Sequence, residues 1–309
     1  MRETGIHHVT AIAGDARRNV EFYTRTLGLR CVKKTVNFDD PGIYHFYYGD
    51  ESGRPGTILT FFPWQHVAPG RVGVGQTQET AFRVPEAAIG YWTHRFVEKG
   101  VSHRAPEKRF GRTVLAFKDP DGMGLAIVGV PDAGTEPAWS GGDVPAEHAI
   151  RGFDGVTLML DDIAPTAAIL TDVFGFRESA RDGSLVRFSV GEALGGTVDL
   201  RAAPGFLPGR MGGGSVHHVA FRAVDDAAQA EMVQRLSENH GLRTTEQKDR
   251  NYFRSVYFRE PGGILFEIAT DSPGFAADEP VETLGQSLKL PEFLERRRGQ
   301  IEAMLPALA

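Results

Sequence analysis

The sequence predicts an α+β protein built from four copies of one βαβββ-like module, and three internal matches carry that expectation. Gly5–Arg30 lies over Gly152–Arg177 at a constant offset, so that Gly5, Val9, Thr10, Gly28 and Arg30 meet Gly152, Val156, Thr157, Gly175 and Arg177. Ala81-Phe82-Arg83 recurs as Ala220-Phe221-Arg222, each followed by a helical pattern that ends at Gly100 or Gly241. Phe117–Ile127 parallels Phe258–Ile268, and each run reads as a strand, a Pro/Gly turn and a second strand.

In chain order the modules fall near residues 5–63, 77–130, 151–203 and 215–270. Each opens with a strand and a helical stretch; in the first, Val20, Tyr23 and Leu27 share one face. Gly28 and Gly175 stand where a helix C-terminus wants a residue able to take positive φ. The Pro/Gly-rich segment Pro131–Pro145 marks a linker. The expected domains are therefore 1–130 (modules one and two), a linker over 131–150, and 151–271 (modules three and four). Residues 272–309 form a tail with an amphipathic helix carrying Phe293, Leu294, Ile301 and Leu305. The tail is expected to pack back on a domain, a homo-oligomer interface being the alternative.

At 309 residues, with 41% hydrophobic and 24% charged side chains, the chain is an average globular composition long enough for two cores. A net charge of −6 gives no general attraction to nucleic acid or anionic membrane. The basic run Arg296-Arg297-Arg298 is surrounded by Glu292, Glu295 and Glu302, as on a solvated helix face. No apolar stretch is long enough to span a bilayer, and the first residues lack the apolar run of a signal peptide. Cys31 is the only cysteine, which excludes an intramolecular disulfide and a thiolate metal cluster. A cytoplasmic, reducing compartment is expected.

The repeats also locate the chemistry. His7-His8 in the first module returns as His217-His218 in the fourth, and Glu267 closes the chain's last strand pattern. Two imidazoles and one carboxylate are the ligand set of a facial triad, which leaves open positions on one side of a divalent iron. At the place of His7-His8, module three has Asp154-Gly155 and module two Gln78-Glu79. At the place of Glu267, module two has Ala126; on a looser alignment module one has Thr60 and module three Leu200. Only modules one and four together supply the full set. An ionised glutamate between Ile264, Leu265, Phe266 and Ile268 is costly unless paired or metal-bound. Strand alternation lets one histidine of each pair face inward, and the apolar neighbours leave open which.

The four modules, together with Gly5–Thr10, Pro41–Asp50, Gly56-Thr57 and Asp249–Phe253 in this order, resemble the vicinal oxygen chelate superfamily of glyoxalases, bleomycin-resistance proteins and extradiol dioxygenases. Within it, these stretches resemble hydroquinone-type ring-cleaving dioxygenases. The resemblance implies that modules pair into two open barrels, here one with four and two with three. It implies that the second histidine of each pair binds metal, giving His8, His218 and Glu267 as ligands of Fe(II), with Mn(II) as an alternative. His7 and His217 then orient ligands or exchange protons. The resemblance further places Arg250, Tyr257 and Thr10 beside the substrate, Tyr257 donating to a phenolate oxygen and Arg250 stabilising anionic intermediates. His45, Tyr44 and Tyr47 are expected to line the pocket, whereas His66, His94, His103, His148 and His240 read as surface or helix residues.

The expected reaction is ring cleavage of a small aromatic diol by O₂, with a substituted hydroquinone favoured. A glyoxalase-type lyase or isomerase and a non-catalytic drug- or aromatic-binding protein are the alternatives. Thr60 separates the first two, because a glyoxalase site uses carboxylates on both last strands and Thr60 is neutral. A pure binder would not need the complete ligand set.

Overall fold

The computed structural model describes residues 5–191 and 194–308. Module one comprises β1 (Ile6–Ala13), α1 (Ala16–Glu21), β2 (Arg30–Asn37), β3 (Asp40–Gly49) and β4 (Ile58–Pro63). Module two comprises β5 (Gln76–Pro85), α2 (Ile89–Glu98), β6 (Glu107–Arg109), β7 (Arg112–Lys118) and β8 (Gly124–Val130). Module three comprises β9 (Gly152–Leu160), α3 (Ala164–Asp172), β10 (Arg177–Asp182), β11 (Leu185–Ser189) and β12 (Thr197–Ala202). Module four comprises β13 (Val216–Ala223), α4 (Asp226–His240), β14 (Lys248–Asp249), β15 (Arg254–Arg259) and β16 (Leu265–Thr270).

The strands form two eight-stranded, curled half-barrel sheets ordered β14-β15-β16-β13-β1-β4-β3-β2 and β10-β11-β12-β9-β5-β8-β7-β6. Modules one and four thus share one sheet, and two and three the other, as the resemblance implies. In each module the first and last strands are parallel neighbours, and the first strands of paired modules meet antiparallel at the seam. The seam strand β1 is buried along its whole length, which its Ile, Val and Ala residues permit.

Strict alternation fails at the seam. Ile6 pairs with Phe221 but His8 with Ala220, leaving His7 as an extra residue; Thr10 pairs with His218 but Ala11 with Val216, leaving His217 as the extra residue on β13. The second sheet has the same interruptions at Gln78 and Asp154. A bulge in each seam strand re-aims one side chain and bends the strand, so both histidines of a pair lie on the same side of the seam.

The helix after β1 is shorter than its pattern: α1 ends at Glu21 and Phe22–Thr26 form a π-helical turn. Tyr23 and Leu27 remain buried, and Gly28 and Gly175 take φ of +71° and +73° as expected. One device recurs in both halves. Asp119 on the turn after β7 accepts from Tyr23 Oη and from the amides of Asp121 and Met123. Its repeat counterpart Glu260 accepts from Thr166 Oγ1 and from the amides of Gly262 and Ile264. Each carboxylate ties the helix region of one module to the last hairpin of the next.

The tail packs back on module one. It holds two short helices, α5 (Glu292–Glu295) and α6 (Arg298–Met304), with Leu290, Leu294 and Ile301 buried against Val36. Phe293, expected on the packed face, is exposed, because the chain breaks between the two helices and turns it outward. Lys33 on β2 is buried and paired to Asp278 and Glu279 at 2.5 Å each. No helix among the described residues is long and apolar enough to cross a membrane. The leader expectation concerns residues 1–4, which lie outside the described residues.

Candidate metal centre

The seam and its parallel neighbour β16 bring three side chains to one point. In register, Thr10 on β1 faces His218 on β13, and Ala220 on β13 faces Glu267 on β16. His218 Nε2 lies 2.9 Å from Glu267 Oε2, His8 Nε2 lies 3.3 Å from the same oxygen, and the two Nε2 atoms are 3.4 Å apart. All three residues are buried, and among the described residues no other histidine, cysteine or acidic side chains gather this way. Glu267 Oε1 accepts from Ser255 Oγ, while Oε2 has no contact of hydrogen-bond geometry. An unsatisfied, fully buried carboxylate oxygen is expensive unless a cation meets it. Two imidazole nitrogens and that oxygen converging on one point fit a divalent metal of borderline hardness, so the residues present form a possible three-residue metal site.

The neighbouring histidines hold the ring planes. His7 Nδ1 lies 2.9 Å from His8 Nδ1, and His217 Nδ1 lies 2.8 Å from His218 Nδ1, contacts that the bulges make possible. Phe253 lies against both rings of the first pair. Burial pushes His7 well below the usual imidazole range and His217 down to about 4, so both are neutral near pH 7. Burial also lowers His218. Burial alone would raise Glu267, but His8 and His218 hold its carboxyl well below the ordinary range.

A cavity of about 280 Å³ opens beside the three side chains. His8, Thr10, His45, Tyr47, His217, His218, Arg250 and Tyr257 line it, together with Phe62, Trp64, Phe253 and Leu265. His7 is buried behind His8 and does not reach it. Tyr44, expected on the wall, instead stacks on Phe46 away from the cavity, being one residue out of phase with His45 on β3. Arg250 Nε donates to Tyr257 Oη at 3.2 Å, and its Nη1 lies 3.4 Å from Asp39. Burial raises Tyr257, with Glu267 adding to it. His66, His94, His148 and His240 lie away from this cavity. The sequence reading missed Ser255 and the hairpin tip Asn37-Phe38-Asp39; the repeat offers no partner that would mark either.

The sequence profile of the Glyoxalase/Bleomycin resistance protein/Dioxygenase superfamily matches residues 5–127 and 152–268. The chain belongs to this superfamily. It is 46% identical over 303 residues to a Bacillus subtilis protein named as a ring-cleaving dioxygenase, MhqO, covering 98% of this chain and 96% of the relative. It is 33% identical to the chlorohydroquinone/hydroquinone 1,2-dioxygenase of Sphingobium indicum, covering 95% of this chain and 93% of that one. A solved Bacillus subtilis structure described as a dioxygenase superposes with a TM-score of 0.94 at 44% identity, covering 99% and 97% of the two chains. Glyoxalase I from Zea mays, at 16% identity and TM-score 0.65 over 87% of this chain and 93% of its own, shares the fold.

In this member of the superfamily the second sheet has the same frame with other chemistry. Register places Thr60 opposite Thr10, Asp199 opposite Thr157 and Ala126 opposite Ala81, the positions equivalent to Glu267 opposite Ala220. Module three therefore offers Asp199, and the looser alignment to Leu200 was one residue off; an apolar residue at that parity faces the core. Guanidinium groups meet the acids of this sheet: Arg187 binds Asp199 through two contacts of 2.8 Å, Arg109 lies 2.5 Å from Glu79 and Arg112 2.7 Å from Asp154. His103 lines the polar cavity there. Fixed cations occupy the acids that a metal would need.

Proposed function

We propose that the chain is a non-haem Fe(II) ring-cleaving dioxygenase acting on a small aromatic diol, a hydroquinone above all. The carrying observation is the buried His8–His218–Glu267 cluster at the end of an aromatic-walled cavity, with a neutral Thr60 in the fourth equivalent position. The superfamily relatives named as ring-cleaving dioxygenases, one of them a hydroquinone 1,2-dioxygenase, support the same reading.

His8, His218 and Glu267 would hold the iron, which supplies open coordination positions and an electronic path between diol and O₂. The protein's own groups do the rest. For Nε2 of His8 and His218 to offer lone pairs, their Nδ1–H groups must donate to His7 and His217, which fixes the tautomers of all four rings. His217 is then neutral on the cavity wall with its hydrogen on Nε2, so it offers a donor to a substrate oxygen. Arg250 has only donors, so Tyr257 accepts from it and turns its own hydrogen towards a substrate oxygen. The Arg250 charge stabilises a phenolate and the anions that follow. Phe62, Trp64 and Phe253 give the cavity aromatic walls suited to a flat ring.

A glyoxalase site needs a base for a carbon-bound proton. Thr60 brings no charge, and its hydroxyl already bonds Thr10 and His45. The anaerobically Fe(II)-loaded protein is expected to consume O₂ with hydroquinones and to form no lactoylglutathione from the glutathione hemithioacetal. Lactoylglutathione formation without O₂ uptake on any diol would reverse the choice.

A further inference from the structure

Module one carries a row of polar side chains that the metal-binding cluster does not use. Thr10 on β1, Thr60 on β4 and Tyr47 on β3 are neighbours across the sheet, since Thr10 pairs with Thr60 and Thr60 with Tyr47. His45 lies two residues along β3 from Tyr47, on the same face. Their atoms join end to end: Tyr47 Oη to His45 Nδ1 at 2.9 Å, His45 Nε2 to Thr60 Oγ1 at 2.9 Å, and Thr60 Oγ1 to Thr10 Oγ1 at 2.8 Å. Thr10, Thr60 and Tyr47 are buried, yet Thr10, His45 and Tyr47 all contribute to the cavity wall. Both ends of the row therefore open on the space that receives substrate. Burial, with His218 and His8 adding to it, keeps His45 neutral.

A neutral imidazole has one donor and one acceptor, and a hydroxyl donates one hydrogen. The row thus has two complete arrangements, running in opposite directions. In one, Thr10 donates to Thr60, Thr60 to His45 Nε2 and His45 Nδ1–H to Tyr47, whose hydrogen points into the cavity. In the other every hydrogen is reversed, and Thr10 donates into the cavity.

We propose that Tyr47, His45, Thr60 and Thr10 form a proton relay for the diol, with the tautomer change of His45 as its switch. The inference rests on the dioxygenase reading. A substrate hydroxyl beside the metal-binding cluster gives its proton to Thr10 Oγ1. The Thr10 proton passes to Thr60, the Thr60 proton to His45 Nε2 and the Nδ1 proton to Tyr47, and the Tyr47 proton returns to an oxygen of the opening substrate. One proton moves between two substrate oxygens, and the protein keeps no charge and no electron. Thr10 and Tyr47 touch substrate; His45 and Thr60 act through them.

His45→Gln tests this, because an amide keeps one donor and one acceptor but cannot exchange them. Tyr47→Phe removes one end and leaves the rest. In the Fe(II)-loaded protein with hydroquinone, each variant is expected to lose about tenfold or more in kcat while KM holds within about twofold. The wild type should show a curved dependence of kcat on deuterium content, and the variants a straight one. His45→Gln turning over at the wild-type rate with the same curvature would overturn the relay. Wild-type protein without diol-dependent O₂ uptake would instead remove the reaction, and the relay with it. A readout independent of turnover is the nitrogen spectrum of His45 in the ¹⁵N-labelled Zn(II)-loaded protein. One proton shared between two hydrogen-bonded ring nitrogens is expected at neutral pH, and a doubly protonated ring would contradict the proposal.

Discussion

At the scale of single residues, one unsatisfied oxygen marks the centre. Glu267 Oε2 faces two imidazole nitrogens without a hydrogen bond, while Ser255 holds Oε1 and so fixes the plane of the carboxylate. Ser255→Ala frees that plane, and metal affinity is expected to weaken by about 10–100-fold; competition with a chelator measures it, and unchanged affinity would count against Ser255 as the orienting group. His217→Ala keeps all three proposed ligands but removes the acceptor for His218 Nδ1–H, so metal affinity is expected to weaken by about 10–100-fold and kcat at saturating metal to fall by about 10²-fold. Unchanged kcat at saturating metal would show that His217 orients His218 and does nothing for the substrate. His8, His218 and Glu267 were legible in the sequence because the repeat shows where other modules lack them. Ser255 was not, since a serine on a strand next to a glutamate carries no pattern of its own.

At the scale of elements, the seam bulges and the paired turn carboxylates do the positioning. Alternation along an ideal strand could not tell His7 from His8, because the extra residue that turns both rings to one side is a feature of pairing, not of either strand alone. The turn carboxylate Asp119 gives a pH prediction. Burial raises its carboxyl from 3.8 to about 6, opposed by its amide and Tyr23 donors. A carboxyl raised on folding contributes its stability in full below its unfolded pKa, and that contribution is lost as pH rises through about 6. The stability of wild type relative to Asp119→Asn is therefore expected to fall between pH 4 and pH 7, by about 3 kcal/mol at most. Urea unfolding at several pH values checks the slope, and a difference independent of pH would contradict it. The tail gives another. Lys33→Ala leaves the buried Glu279 with only Lys289 at 3.9 Å and the Gly285 amide as partners, and a loss of about 3 kcal/mol is expected by the same unfolding experiment.

At the scale of the whole molecule, one frame is used twice with different contents. The equivalent positions of the second sheet hold Glu79, Gly155, Asp199 and Ala126, and arginines meet both acids. Metal analysis is therefore expected to find one tightly bound divalent ion per chain, and two would show that the arginines yield. Four modules, their pairing across the halves and the site they share were legible because repeats preserve helix-capping glycines, turns and hydrophobic phase. The break in the tail helix and the hairpin tip at the cavity were not, since each occurs in one copy only. The most direct test of the central claim is turnover of hydroquinone by the Fe(II)-loaded protein under isotopically labelled dioxygen, with mass analysis of the product. Both atoms of one dioxygen molecule should appear in a ring-opened product, and neither should appear with Glu267→Ala. An intact ring oxidised to a quinone, with the label recovered in water or peroxide, would contradict it.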